Sequence, residues 1–198
     1  MNPKQIGQHY DAIAAWWSAQ PEPSTGFEYL NRAIALSPRR GKALDVGCGN
    51  ARLTTLIADA GFDVVGIDVS REMIALARAR QPNATFIHAD ICEWRPPDHY
   101  DLIVAWDSTF HVPHASQRPV VEKLCAALAS GGAILFTAGG IDGETTGAMN
   151  GEAFYYSSLA DSEYLDILKD CGCRCVLLER DQVPEEHIVM IGARPQRK

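Results

Sequence analysis

Three carboxylates and two glycines recur in this sequence at spacings that suit a nucleotide-like cofactor. Asp45 sits in A-L-D-V-G-C-G-N-A-R, Ala43 to Arg52, just ahead of Gly47 and Gly49. Asp68 ends D-V-V-G-I-D about twenty residues further on, and Asp90 closes F-I-H-A-D. Glycines let a turn take unusual dihedrals and let a ligand approach the main chain, while helix N–H groups point at whatever sits there. A carboxylate ending the next strand of a parallel sheet lies beside ribose hydroxyls. His111 is a different kind of group. Within D-S-T-F-H-V-P, Asp107 to Pro113, it alone has an ordinary pKa near neutrality, as a general base requires. Its alternative role is to brace the loop through a backbone hydrogen bond.

The elements that must position these groups follow from apolar patterning. Ala43 to Val46 reads as a short buried strand, and Leu53, Leu56, Ile57 and Ala60 recur at helical spacing after the glycine turn. Asp68 and Asp90 end a second and a third strand, and Y-D-L-I-V-A-W, Tyr100 to Trp106, is a fourth. Ahead of them, Ile6, Tyr10, Ile13, Ala14 and Trp17 form a helical stripe, with at least one of Trp16 and Trp17 expected as a core anchor. Thr25 and Glu28 predict a capping box for a second helix ending near Ser37-Pro38. Val121, Leu124, Cys125 and Leu128 mark a helix ended by Gly131-Gly132, and A-I-L-F-T-A is the fifth strand. Gly139 to Ser158 reads as a long loop, a candidate lid carrying Phe154, Tyr155 and Tyr156. Ser158 to Asp161 caps a last helix, and C-R-C-V-L-L-E-R with H-I-V-M-I-G-A reads as a strand pair.

The run L-D-V-G-C-G-N-A, the acid Asp68 ending the next strand, the pair Asp90-Ile91, and D-L-I-V-A-W-D-S-T-F-H resemble class I S-adenosylmethionine-dependent methyltransferases of the small-molecule type. The resemblance spans most of the chain. It implies an α/β, Rossmann-like, seven-stranded and mostly parallel sheet with an antiparallel last strand and two N-terminal helices. It also implies main-chain contacts from Gly47, Cys48 and Gly49 to the methionine part of the cofactor, with Asp45 near its amino group. Asp68 and Val69 would hold the ribose, Asp90 the adenine amino group and Ile91 the ring. Trp106 would begin the segment under the reactive methyl, and Tyr10 would fold over the chamber. His111, Phe154, Tyr155, Tyr156 and His187, with Glu185 and Glu186 beside it, are the candidates for the acceptor side. One departure stands out: Ala51 replaces the usual third glycine.

A dinucleotide-binding fingerprint would need glycine at position 52, where this chain has Arg52. With 198 residues, 46% of them hydrophobic, one domain is expected: a helical cap over 1–40, a core over 41–198 and a possible lid at 139–158. No apolar run approaches membrane-spanning length and the first residues lack a signal pattern, so a cytoplasmic protein with no membrane partner is expected. The net charge of -7 disfavours nucleic acid and points to a small-molecule acceptor. Monomer and homodimer both remain open. Six cysteines without a secreted context read as reduced thiols, and C-G-C-R-C lacks the spacing of a metal site. The expected activity is methyl transfer from S-adenosylmethionine, leaving S-adenosylhomocysteine. The alternative is a module that binds either compound as a sensor, without turnover.

Overall fold

In the computed structural model, which describes residues 1–22, 24–181 and 187–196, the strand Lys42–Val46 (β1) lies inside a seven-stranded sheet, next to its central strand. Ala43 and Leu44 are fully buried there, as expected for a strand covered on both faces. Asp63–Asp68 (β2) and Tyr100–Ala105 (β4) flank it in parallel, Thr85–His88 (β3) extends one side, and Leu128–Ala138 (β5) continues the other. Beyond β5 the order is β9 (Ile188–Ala193) and then β8 (Arg174–Arg180), with β9 antiparallel to both neighbours. Strand order reverses at β1 and β4, so the crevice above their carboxyl ends is the natural ligand site.

Helices cover both faces. Pro3–Ser18 (α1) is capped by Asn2, whose side chain accepts from the Gln5 N–H at 2.9 Å. Phe27–Leu36 (α2) and Arg52–Asp59 (α3) pack with β1 and β4 through Leu30, Ala33, Leu53 and Ile57. Arg71–Arg80 (α4), His114–Ala126 (α5) and Asp161–Asp170 (α6) complete the layers. Among the described residues no helix is long and apolar enough to cross a membrane.

Several expectations are corrected. Thr25 and Glu28 make no capping box; α2 begins after Gly26 in a left-handed conformation, with no side-chain cap. The fifth helix stops at Ala126, and Leu128, Gly131 and Gly132 belong to β5, where a register shift after Tyr100 absorbs the glycines. Ser158 ends a strand instead of capping α6, whose N-cap is Ala160. Cys173 lies just before β8, and Cys175 precedes a second register shift. Trp16 and Trp17 are 36% and 38% exposed, so neither is a core anchor.

The largest correction is the 139–158 segment. It contains a regular hairpin, Gly143–Met149 (β6) with Glu152–Ser158 (β7), turning at Asn150-Gly151. Period-2 alternation was hidden because β7 buries Phe154, Tyr155, Ser157 and Ser158 in near succession while β6 lies largely exposed. Tertiary polar bonds hold the hairpin down: the Gln117 amide donates to the Ser157 carbonyl at 3.2 Å and the His114 N–H to the Tyr155 hydroxyl at 3.0 Å. Glu185 and Glu186 lie outside the described residues.

Candidate active site

A cavity of about 380 Å³ opens where β1, β2 and β4 end. Its floor is the glycine turn. Gly47 has φ +67°, and a Cβ there would sit 2.2 Å from the Ser108 Cβ. The Ser108 hydroxyl donates to the Val46 carbonyl at 2.8 Å, tying β1 to the loop after β4, so this close approach requires glycine. Gly49, at φ +52°, is the opposite case: a Cβ would meet nothing within 4 Å and would project into open space. The N–H groups of Gly47 and Cys48 donate to the Ile67 carbonyl at 2.8 and 3.0 Å, and that of Gly49 to Asp68 Oδ2 at 2.9 Å. These donors, and the Cys48 carbonyl that accepts the Ala51 N–H at 2.9 Å, are engaged in holding the turn, which leaves the open face of Gly49 for a ligand. Ala51, where a third glycine is usual, keeps a left-handed φ of 65° while fully buried, a strain of about 1 kcal/mol.

The three carboxylates sit differently. Asp68 accepts the Gly49 N–H on one oxygen and the Ser70 N–H on the other at 2.8 Å, so each oxygen keeps a lone pair for a hydroxyl. Burial raises its pKa and these backbone bonds oppose the rise. Asp45 is 2% exposed and accepts the Thr54 hydroxyl at 2.5 Å. Burial pushes its pKa up to about 6 against the Thr54 bond, with the Asp68 charge adding to the rise. A cation beside Asp45 would settle it as a carboxylate. Asp90 is turned by the Cys92 N–H, which donates to Oδ1 at 2.8 Å. A nucleoside-sized cofactor fits this set: Gly49 offers an unfilled cradle, and the buried Trp106 indole N–H has no acceptor among the described residues.

His111 is locked into one tautomer. Its Nδ1 lies 2.8 Å from the Tyr155 carbonyl, which can only accept, so Nδ1 carries the proton and Nε2 accepts the Tyr10 hydroxyl at 2.9 Å. Burial lowers its pKa to about 4, against that carbonyl bond and the Asp107 charge. The Tyr10 phenol is driven well above its ordinary value, chiefly by burial. Over the physiological range both groups are neutral, and the basic nitrogen of His111 is covered. The expectation of a free base with a neutral pKa is thus corrected: the basic nitrogen of His111 is occupied by the Tyr10 hydroxyl.

All ten residues assigned to the cofactor from sequence, Tyr10 to Trp106, line this one cavity, as does His111. The other expected acceptor residues do not. Phe154 is fully buried with Ile6 and Ile13, because α1 lies across the hairpin. The Tyr155 hydroxyl donates to Glu144 at 2.7 Å, and Tyr156 packs its ring 4.9 Å from that of His111. His187 lies behind Asp107, with Nε2 3.1 Å from Oδ1 and Nδ1 bonded to Asp181. Asp107 itself was missed from sequence. It lines the cavity at φ +50°, its N–H donating to the Thr137 hydroxyl at 2.8 Å. Its position directly after the fourth strand was the available signal.

With this geometry in view, residues 43–132 match the family model described as a methyltransferase domain. Over those residues the chain is similar to methyltransferase domains. It is 40% identical over 100 residues to the trans-aconitate 2-methyltransferase of Variovorax paradoxus, covering 49% of this chain and 38% of that one. It is 29% identical over 134 residues to the ubiquinone biosynthesis O-methyltransferase of Methylococcus capsulatus, covering 61% and 54%. The chain therefore spans 38% and 54% of the length of these two relatives. The CcbJ methyltransferase of Streptomyces caelestis shares the fold across 96% of this chain and 98% of its own, with a TM-score of 0.75 at 16% identity.

Proposed function

We propose that the protein transfers a methyl group from S-adenosylmethionine to a small-molecule acceptor. The observation that carries this reading is the convergence of Asp45, Asp68, Asp90 and the open face of Gly49 on one cavity at the carboxyl edge of the sheet. When bound, the cofactor supplies a methyl group on a positively charged sulfur. Asp68 would hold the ribose hydroxyls with its remaining lone pairs, and Asp90 would accept from the adenine amino group. Asp45 accepts from the amino end, where a cation offsets the cost of its buried charge. Tyr10, Trp106 and His111 line the same cavity and would help exclude water from a bound cofactor. Alignment of acceptor, carbon and sulfur is the main contribution of the chain to rate.

The names of the two relatives, a trans-aconitate and a ubiquinone-biosynthesis enzyme, support small-molecule chemistry. The reading includes a cytoplasmic protein, monomeric or homodimeric, in keeping with its acidic net charge of -7 and the six free cysteines. Calorimetry with S-adenosylhomocysteine tests the cofactor. Asp68→Ala is expected to weaken binding by about 1.5 to 3 kcal/mol through the lost charge-assisted bonds. Unchanged affinity in a folded variant removes the assignment, and binding without any methyl transfer favours the sensor alternative.

A further inference from the structure

We propose that the Asp107 carboxylate is the acceptor-binding group of this site, and that the acceptor is a neutral or cationic small molecule presenting an N–H or O–H donor, not a polycarboxylate. This rests on the methyl-transfer reading above and adds the acceptor class to it. Asp107 lines the cavity, and its side chain is 41% exposed. One oxygen, Oδ1, lies 3.1 Å from His187 Nε2 and 3.5 Å from the Thr137 hydroxyl. The Arg52 guanidinium, also on the cavity wall, interacts with this carboxylate through its charge. The backbone there is left-handed in a residue other than glycine, a conformation that needs support from its surroundings. The Thr137 hydroxyl supplies that support at the Asp107 N–H, and His187 supplies it at the carboxylate.

His187 is suited to bracing an ionised Asp107. Both its ring nitrogens face carboxylate oxygens, of Asp107 and Asp181, and the side chain is 8% exposed. Burial alone would lower its pKa, but the two carboxylates together raise it. The ring is enclosed between two acids and is not offered to a ligand.

The wider charge balance points the same way. The cavity wall carries five carboxylates, Glu22, Asp45, Asp68, Asp90 and Asp107, and one guanidinium, Arg52. Arg52 is already engaged, donating to the Thr25 carbonyl at 3.1 Å with its guanidinium carbon 5.2 Å from the centre of the Phe27 ring. With Asp45, Asp68 and Asp90 assigned to the cofactor and Glu22 paired with Arg80, Asp107 is the carboxylate left for an acceptor, and a tricarboxylate would need cationic partners there. An amine or hydroxyl finds in the Asp107 carboxylate a charged acceptor of the right sign. The relatives named for trans-aconitate would then differ from this chain in acceptor class while sharing the cofactor half of the fold.

The test uses the full chain and a small-molecule metabolite extract separated by ion exchange into cationic, neutral and anionic fractions. Each fraction is incubated with methyl-labelled S-adenosylmethionine, with pure trans-aconitate as a further sample. Label in the cationic or neutral fraction, and none in the anionic fraction or on trans-aconitate, is expected. Label confined to the anionic fraction or trans-aconitate overturns the acceptor class while leaving methyl transfer intact. No label anywhere, with S-adenosylhomocysteine bound, instead counts against turnover itself and so against both. With the labelled acceptor in hand, Asp107→Asn keeps the left-handed backbone, which asparagine tolerates. It is expected to raise the acceptor KM about ten- to a hundredfold at unchanged S-adenosylhomocysteine affinity. An unchanged KM removes Asp107 from the acceptor site.

Discussion

Asp45→Asn offers a sharp check on the electrostatics of the cofactor cavity, because it should make the free protein more stable while making it bind worse. Asp45 is 2% exposed, and its pKa rises from an ordinary 3.8 to about 6. A shift of about two units at 1.36 kcal/mol each is a cost of about 3 kcal/mol for holding the ionised group at neutral pH. The sign follows from the raised value: stability linked to Asp45 is fully present near pH 4 and is lost as pH rises through about 6. Asparagine has nothing to ionise there, and its carbonyl still accepts the Thr54 hydroxyl. Its amide N–H groups need partners, which removes part of the gain, so a net stabilisation of about 1 to 2 kcal/mol above pH 7 is expected. That corresponds to a melting temperature higher by about 2 to 8 °C. Thermal melts of both proteins from pH 4 to 8 read it directly. The difference should open between pH 4 and 6 and stay constant above, while calorimetry shows weaker S-adenosylhomocysteine binding. A difference that does not change with pH, or a variant less stable than wild type at pH 8, refutes the reasoning.

The depressed pKa of His111, about 4, means stability present above its ordinary 6.5 and lost as pH falls towards 4. Urea unfolding should therefore show wild type losing about 2 kcal/mol between pH 7 and 5 that His111→Gln does not lose, and the pH–rate profile should show no His111 step near 6.5. Tyr10→Phe removes the hydroxyl bonded to His111 Nε2. It should lower turnover and leave S-adenosylhomocysteine affinity nearly intact; equal losses in both would make Tyr10 a packing residue. Phe154→Ala should destabilise by about 3 to 5 kcal/mol, since the ring is fully buried against α1. Hydrogen exchange should find β7 protected in the free protein; rapid exchange there with an unchanged melting temperature would restore the lid.

The proposed cofactor half of the site was legible because its residues are local in sequence. A strand end, a glycine turn and a carboxylate on the next strand each lie within one supersecondary unit, and the parallel sheet brings such units to a common edge. The acceptor half was not. The hairpin looked like a loop because its burial is set by α1 and the 3₁₀ turn Thr109–His111 packed on it, not by its own pattern. His187 was read as a ligand group because it begins a strand at the ligand edge, yet Asp107 stands between it and the cavity.

Alone, the sequence determined the strand and helix identities around β1, the glycine turn and Asp68 at the end of β2, because periodicity, φ requirements and short-range spacing are properties of a chain segment, whereas Asp90 lies two residues beyond the end of β3 and not on it as expected. Only the tertiary structure decided the protonation chemistry. His111 and Tyr10 are separated by 101 positions and His111 and Tyr155 by 44, and their contact fixes the tautomer and covers the basic nitrogen. A pKa depends on the dielectric and the charges that folding assembles around a group, and no stretch of sequence carries that information by itself.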